Sequence, residues 1–510
     1  MNVSAATASL YEQYVSEMQQ IADIRYSAAV LQWDQETYMP AGGADARSRQ
    51  IATLSEIAHS RFITDSMGSL LKSLSDRDDL NEELQKNISL SLYDYEQQVR
   101  LPASHIRDLS EASSKAFHSW MDARRANDFS LFEGSLETLV ALKKVEADLL
   151  GYENHPYNAL LNEYERGATT TLLDSVFAEL QIPLKELLEK IRHCEQVDDR
   201  FLKQYYAESD QWQFSLALLE RMEFDLQSGR QDKAAHPFTI NFSSKDVRIT
   251  TRIDEQDISN MTWSTIHELG HAHYEQGLPA GQYGLPLGEY ASLGIHESQS
   301  RLWENNVGRS MSWCEHFMPL FKHHFPSQLG EISASKFYRA INKVEPSLIR
   351  TEADELTYHF HVIIRYELEK ELIGGQLNTK DIPAFWNQKY LDYLGIRVPD
   401  NRQGCLQDVH WSHGSFGYFP TYSLGSLYAA QFFHAAKGAI SDLEKQIRSG
   451  NFRDLLTWLN QSIHRHGRRF TSEELCKQLC GEGININYFM QYSTDKYRFI
   501  YGFQTEEGIL

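Results

Sequence analysis

Along almost the whole chain, apolar residues recur at three- and four-residue intervals with Glu, Lys, Gln and Arg between them, the pattern of helices that each bury one face. One stretch breaks the pattern. In HPFTINFSSKDVRITTRID, residues 236–254, Phe238, Ile240 and Phe242 alternate with polar neighbours, and Val247, Ile249, Thr251 and Ile253 resume the alternation after Ser243-Ser244-Lys245-Asp246. That is the period of a strand, so the expectation is a mainly α body carrying one small β-hairpin. Helices are expected over 6–32, 44–74, 81–100, 103–125, 172–193, 257–276, 290–308, 347–373, 423–446 and 487–500, with Pro102 dividing two of them. No repeat, low-complexity tract or Gly/Ser linker interrupts the sequence, so residues 1–510 read as a single body.

Composition narrows the partners. The chain has 510 residues, enough for a large core, and carries a net charge of −21, a field that repels nucleic acid and anionic membranes. The opening MNVSAATASLYEQY lacks a basic segment followed by an apolar run, and no 18-residue apolar stretch occurs anywhere; a soluble, cytoplasmic protein is expected. The five cysteines are scattered and odd in number, which does not describe a disulfide framework. Cys476 and Cys480, four apart, read as semi-buried thiols because no further ligand lies near them in the sequence.

Chemistry concentrates in STIHELGHAHYEQG, residues 264–277. His267 and His271 stand four apart, so on a helix they project from one face and can share a metal, with Glu268 one residue round the turn. His273 falls on roughly the opposite side and reads as structural or solvated. A catalytic zinc site needs three protein ligands and an open position. The third is sought on the next helical segment, EYASLGIHESQSRLWENN, where Glu297 is the leading candidate and Glu289 and His296 compete with it. An i,i+4 ion pair between Glu297 and Arg301 is the structural alternative. The hairpin just ahead of this helix could offer an exposed strand edge to an extended peptide, or be purely structural.

HPF (236–238), DVRIT (246–250), HELGH (267–271), HESQS (296–300), IRTEAD (349–354) and GCLQDVHW (404–411) occur in that order, and QWDQETYMP (32–40) precedes them. In these motifs the chain resembles the M32 metallocarboxypeptidases, the carboxypeptidase Taq group. The resemblance implies a large helical body similar to neurolysin-type peptidases, with a long substrate groove that N-terminal helices, about 1–125, flank or cover, and a homodimer. It implies His267, His271 and Glu297 as metal ligands and Glu268 as general base.

A peptidase of this kind needs a donor beside the metal for the developing oxyanion. DVHWSHGSFGYFPTYSLG (408–425) supplies His410, His413, Tyr418 and Tyr422. Similarity to neurolysin-like sites selects His410 and Tyr422, with Tyr418 as a substrate contact or a packing residue and His413 as structural. Removal of C-terminal residues requires a cation for the free carboxylate, and an Arg fork suits it. Arg350 and Arg248 are the candidates; Asp354 and Asp246 are the partners each would have in a purely structural role, and His236 is placed at the same end of the groove. The reading is a carboxypeptidase holding one Zn²⁺, with Co²⁺ as a possible substitute and peptides with a free C-terminus as substrates. An endo-acting oligopeptidase of similar fold and a non-catalytic helical metal-binding scaffold are the alternatives.

Overall fold

The computed structural model describes residues 3–504. At the N-terminus α1 (Ala5–Thr37), α2 (Ala44–Phe62), α3 (Asp65–Ser75) and α4 (Glu82–Val99) close over a small core of their own, in which Tyr14, Ile21, Phe62, Leu71, Leu74 and Ile88 are buried. The helix expected over 44–74 is two helices, because the Thr64 side chain caps a new start by accepting the Met67 N–H. Buried Asn87 ties this layer to the rest: its amide donates to Gln282 at 2.8 Å and its carbonyl accepts from the Leu287 backbone at 3.0 Å.

The remaining helices share one extensive core, in which Trp303, Trp313, Trp386 and Tyr390 are fully enclosed. The expected hairpin is present as β2 (Thr239–Ser243) and β3 (Asp246–Thr251), antiparallel, with Ile240 opposite Arg248 and an irregularity between Asn241 and Ser243. It belongs to a three-stranded sheet of order β1-β3-β2, β1 (Gly229–Lys233) running parallel to β3. That strand, GRQDK, has no apolar alternation and exists because β3 offers a partner. The N-terminal layer reaches the sheet through the Tyr38 hydroxyl, which donates to Asp232 at 2.5 Å, and through Trp33, over which the Arg248 guanidinium lies at 4.4 Å.

Four helices build the site. The first, Ile258–Gly277, carries the two motif histidines; the second, Leu293–Arg301, begins at a Ser292 cap and runs into a π-helical turn, Leu302–Gly308, where a continuous helix to 308 was expected. The third is Tyr358–Gly374 and the fourth Pro420–Ala439. The helix expected from 347 starts eleven residues late because the Asp354 carboxylate takes the N–H groups of Leu356 and Thr357, leaving Arg350–Glu352 as a short 3₁₀ turn. The one expected over 423–446 starts at Pro420 and stops at Ala439, and Asp442, at φ 54°, precedes a separate helix, Leu443–Ser449.

Candidate metal centre

His267 and His271 leave one face of Ile258–Gly277, their ring centroids 4.9 Å apart. Glu297 meets them from the second helix: its Oε2 lies 3.7 Å from His267 Nε2 and 3.6 Å from His271 Nε2. The helices approach closely because Gly270 has no side chain; a Cβ there would sit 2.6 Å from the Gln299 carbonyl oxygen. Gly425, on Pro420–Ala439, does the same against Glu297, where a Cβ would come within 2.5 Å of Cγ.

Each ligand is oriented from behind. His267 Nδ1 faces Glu304 Oε2 at 2.9 Å, and His271 Nδ1 faces His296 Nδ1 at 2.5 Å. His296 Nε2 in turn meets Glu275 Oε1 at 2.7 Å, and Glu275 accepts from Asn241 of β2 at 2.6 Å. Both Nε2 atoms are thus left for the centre of the cluster, the arrangement that metal-binding histidines require. Glu297 Oε1 accepts from Arg301 Nε at 2.6 Å; the ion pair and the ligand cluster are therefore present together. Glu289 instead faces Arg468, at 3.8 Å, and His296 stands behind His271. His273 is buried on the far side of the helix, its Nε2 3.0 Å from the Met222 carbonyl.

The cluster suits a divalent cation. The candidate ligand atoms of His267, His271 and Glu297 all lie within 4.8 Å of one another. With the histidines neutral, the guanidiniums of Arg301 and Arg309 pair with Glu297 and Glu304, while Glu268 and Glu275 are held by Thr239, Asn241 and His296, leaving two negative charges among these groups. Burial opposes protonation of His267, but Glu297 and the bond to Glu304 outweigh it and raise its pKa. His271 lacks a second carboxylate on its ring, and burial with neighbouring histidines drives its pKa far down. Burial raises the Glu268 pKa despite His267 and the 2.6 Å hydrogen bond from the Thr239 hydroxyl, the direction that brings a carboxylate toward use as a base near neutrality.

On the other side stands a cationic cluster. Arg350 donates through Nε and Nη2 to Asp408, at 3.1 and 2.9 Å, and through Nη1 to the Tyr358 hydroxyl at 2.8 Å. Fully buried Arg365 donates to the same Asp408 at 2.6 Å. Arg350 therefore does not pair with Asp354, which is occupied as a helix cap. Tyr422 lies under Arg350, with the guanidinium 4.8 Å from its ring, and its hydroxyl is 3.3 Å from His410 Nε2. Burial pushes His410 down to about 3, so the ring is neutral, and raises Tyr418 to about 12. Tyr418 packs on Tyr422 at 5.3 Å. Arg301, with its guanidinium 4.7 Å from the Tyr358 ring, joins the two clusters. His413 is exposed and hydrogen-bonds Ser415.

Two sequence candidates stand apart. Arg248 forms the pair with Asp246, two contacts of 2.9 Å, stacked between Trp33 and Phe242. His236 is exposed ahead of β2, with no hydrogen bond to the histidine cluster among the described residues. Conversely Glu304, Glu275, Thr239, Arg365 and Asp408 were not singled out. Glu304 was accessible to the same logic, since it follows Glu297 by two helical turns; the others become neighbours only in the fold.

A helical body that sets two histidines and a glutamate around one point, beside a buried tyrosine and arginine, is that of a metallopeptidase. The model of the carboxypeptidase Taq (M32) metallopeptidase family matches residues 13–497. Carboxypeptidase 1 of Bacillus subtilis is 37% identical over 492 residues, covering 96% of this chain and 98% of that relative. Thermostable carboxypeptidase 1 of Thermus thermophilus is 39% identical over 506 residues, covering 96% and 99%. The crystal structure of the M32 carboxypeptidase from Deinococcus radiodurans R1 superposes with a TM-score of 0.95 at 38% identity, over 97% of this chain and 100% of that one. The chain belongs to the M32 family of metallocarboxypeptidases. Membership brings peptide substrates and a divalent metal, for which His267, His271 and Glu297 form the fitting cluster. Among the described residues, no helix is long and apolar enough to cross a membrane.

Proposed function

We propose that the chain is a zinc carboxypeptidase, a single catalytic body in which His267, His271 and Glu297 hold the ion and Glu268 is the general base. The His₂Glu donor set supports Zn²⁺, and Co²⁺ can use the same ligands; metal analysis of the purified protein decides between them. When bound, the ion lowers the pKa of a coordinated water to about 7 and polarises the scissile carbonyl. Glu268, held by Thr239 with a raised pKa, takes the proton from the attacking water and delivers it to the departing amine. Tyr422 and His410 donate to the developing oxyanion. Tyr418 lines the substrate path, and β2, the edge strand beside the first helix, holds the peptide backbone.

The observation that carries the C-terminal specificity is charge. Arg350 and Arg365 share one carboxylate, Asp408, and the remaining positive charge lies beside Tyr422, where a free C-terminal carboxylate complements it. Arg350 takes this role ahead of Arg248, which Asp246 already neutralises; His236 is at most a contact of the outer substrate. The reading extends to a homodimer and a cytoplasmic location. The homodimer rests on the family resemblance and is checked by sedimentation; five free thiols accord with the location.

A matched pair of peptides, one with a free and one with an amidated C-terminus, separates this reading from an endo-acting oligopeptidase. The free acid is cleaved one residue at a time and the amide is spared. Equal turnover of the two supports internal cleavage.

A further inference from the structure

The segment that carries the proposed donors has little regular structure of its own: a 3₁₀ turn, His410–His413, and then irregular chain up to Pro420. Its shape is imposed by the third helix. Arg365 grips its start, donating to Gln407 at 2.8 Å and to Asp408. One turn further along, Glu369 grips two later points at once: Oε1 accepts from Trp411 Nε1 at 2.7 Å, and Oε2 accepts from the Gly417 N–H at 2.9 Å. The Tyr157 hydroxyl, from the short helix Tyr157–Tyr164, adds a third donor at 2.6 Å. Gly417 sits at φ 95°, and a Cβ there would come within 2.7 Å of the Leu160 carbonyl oxygen, so the same short helix backs the segment.

Glu369 is fully buried, and its three hydrogen-bond donors are all neutral. Burying a carboxylate with no ion-pair partner is costly. What it gains here is geometry: Trp411 follows His410 directly, and Gly417 precedes Tyr418, so one side chain fixes the positions next to both. We propose that Glu369 is a positioning residue that presets His410, Tyr418 and Tyr422 for the reaction while touching neither metal ligands nor substrate. The inference rests on the reading of Tyr422 and His410 as donors.

Glu369→Gln keeps the shape but cannot accept all three bonds, since its amide nitrogen meets a donor. In the zinc-loaded full-length protein, with a free-acid peptide, kcat is expected to fall roughly tenfold, the scale of a small misplacement of catalytic groups, with KM within about threefold and zinc content unchanged. Placed in a background carrying both His410→Ala and Tyr422→Phe, the same substitution is expected to add less than about twofold, because both donors it positions are gone. An unchanged kcat, a loss confined to KM, lost zinc, or full additivity in that doubly substituted background overturns the clamp. If Tyr422→Phe alone leaves kcat intact, the donor reading falls and takes the inference with it; a damaged Tyr422→Phe beside a normal Glu369→Gln removes the clamp alone. Should Glu369→Gln not fold, Tyr157→Phe removes one donor without changing shape, and a kcat loss of a few-fold at constant KM supports the proposal where no change overturns it.

Discussion

At the metal face four carboxylates, Glu268, Glu275, Glu297 and Glu304, surround three histidines and the guanidiniums of Arg301 and Arg309, whereas at the facing cluster Arg350 and Arg365 share only Asp408. With neutral histidines the first face carries two surplus negative charges; at the second, the ion-paired Arg350, Arg365 and Asp408 carry one surplus positive charge, which Glu369 does not ion-pair, its carboxylate being bonded to Tyr157, Trp411 and Gly417. Each surplus matches what the face is proposed to receive: a divalent cation on one side, a peptide carboxylate on the other. The two faces also differ in construction. The metal ligands come from two neighbouring helices joined by a short excursion, while the donor face draws on residues 350, 358, 365, 369 and 408–422. Arg301 and Tyr358 are the bridge between them.

The largest effect that would sharpen this contrast is chemical. Glu268→Gln is expected to lower kcat by about 10³, within the range of positioned general bases, while zinc content measured by mass spectrometry stays at one per chain. Loss of the metal along with activity would make Glu268 part of the binding shell instead. Tyr422→Phe comes next, with kcat/KM down roughly 10²-fold, the lower range for one oxyanion donor; a loss appearing only in KM would assign the hydroxyl to substrate binding. Third, Glu304→Gln replaces the charged acceptor of His267 Nδ1 with a neutral amide and is expected to weaken zinc roughly 10- to 100-fold in chelator competition, yet to recover most activity at saturating metal. If the metal stays equally tight, Glu304 has no part in orienting His267.

The smallest effect concerns stability and lies outside both faces. Glu165 is buried against the start of the second helix, accepting the Gly294 N–H at 2.9 Å and the Ser472 hydroxyl, and burial pushes it up to about 7. Its folded-state pKa exceeds the unfolded value, so the native state binds the proton more tightly. Stability from this group is full below about 4.5 and declines as pH rises toward about 7. Glu165→Gln should flatten the decline by roughly 1–3 kcal/mol over that window in denaturant titrations, and an unaltered slope counts against it.

The difference in construction explains what could be read from sequence. His267 and His271 were legible because helical spacing puts them on one face, and Glu297, with Glu289 and His296 as competitors, through the family resemblance; Glu304 was missed although it follows Glu297 by about two helical turns and stands behind His267. Arg365 and Glu369 carry no local signal at all. On a helix they resemble any charged pair, and only the return of residues 407–417 gives them partners. Arg248 and Arg350 were both candidates in sequence, yet one finds its carboxylate two residues away and the other finds Asp408 across the fold. Helix ends failed for a related reason: the caps at Thr64 and Asp354 override an apolar period that continues through them.

The central claim is that the surplus charge beside Tyr422 reads the substrate's carboxylate. It is tested most directly by kcat/KM on matched free-acid and amidated peptides for the wild type and Arg350→Met, both folded and zinc-loaded. A charge-assisted contact contributes about 1.5–3 kcal/mol, or roughly 10- to 150-fold. The account predicts a strong wild-type preference for the free acid that shrinks by that factor in the variant, through loss on the free acid alone. A variant that keeps the wild-type preference, or loses activity equally on both peptides, contradicts it.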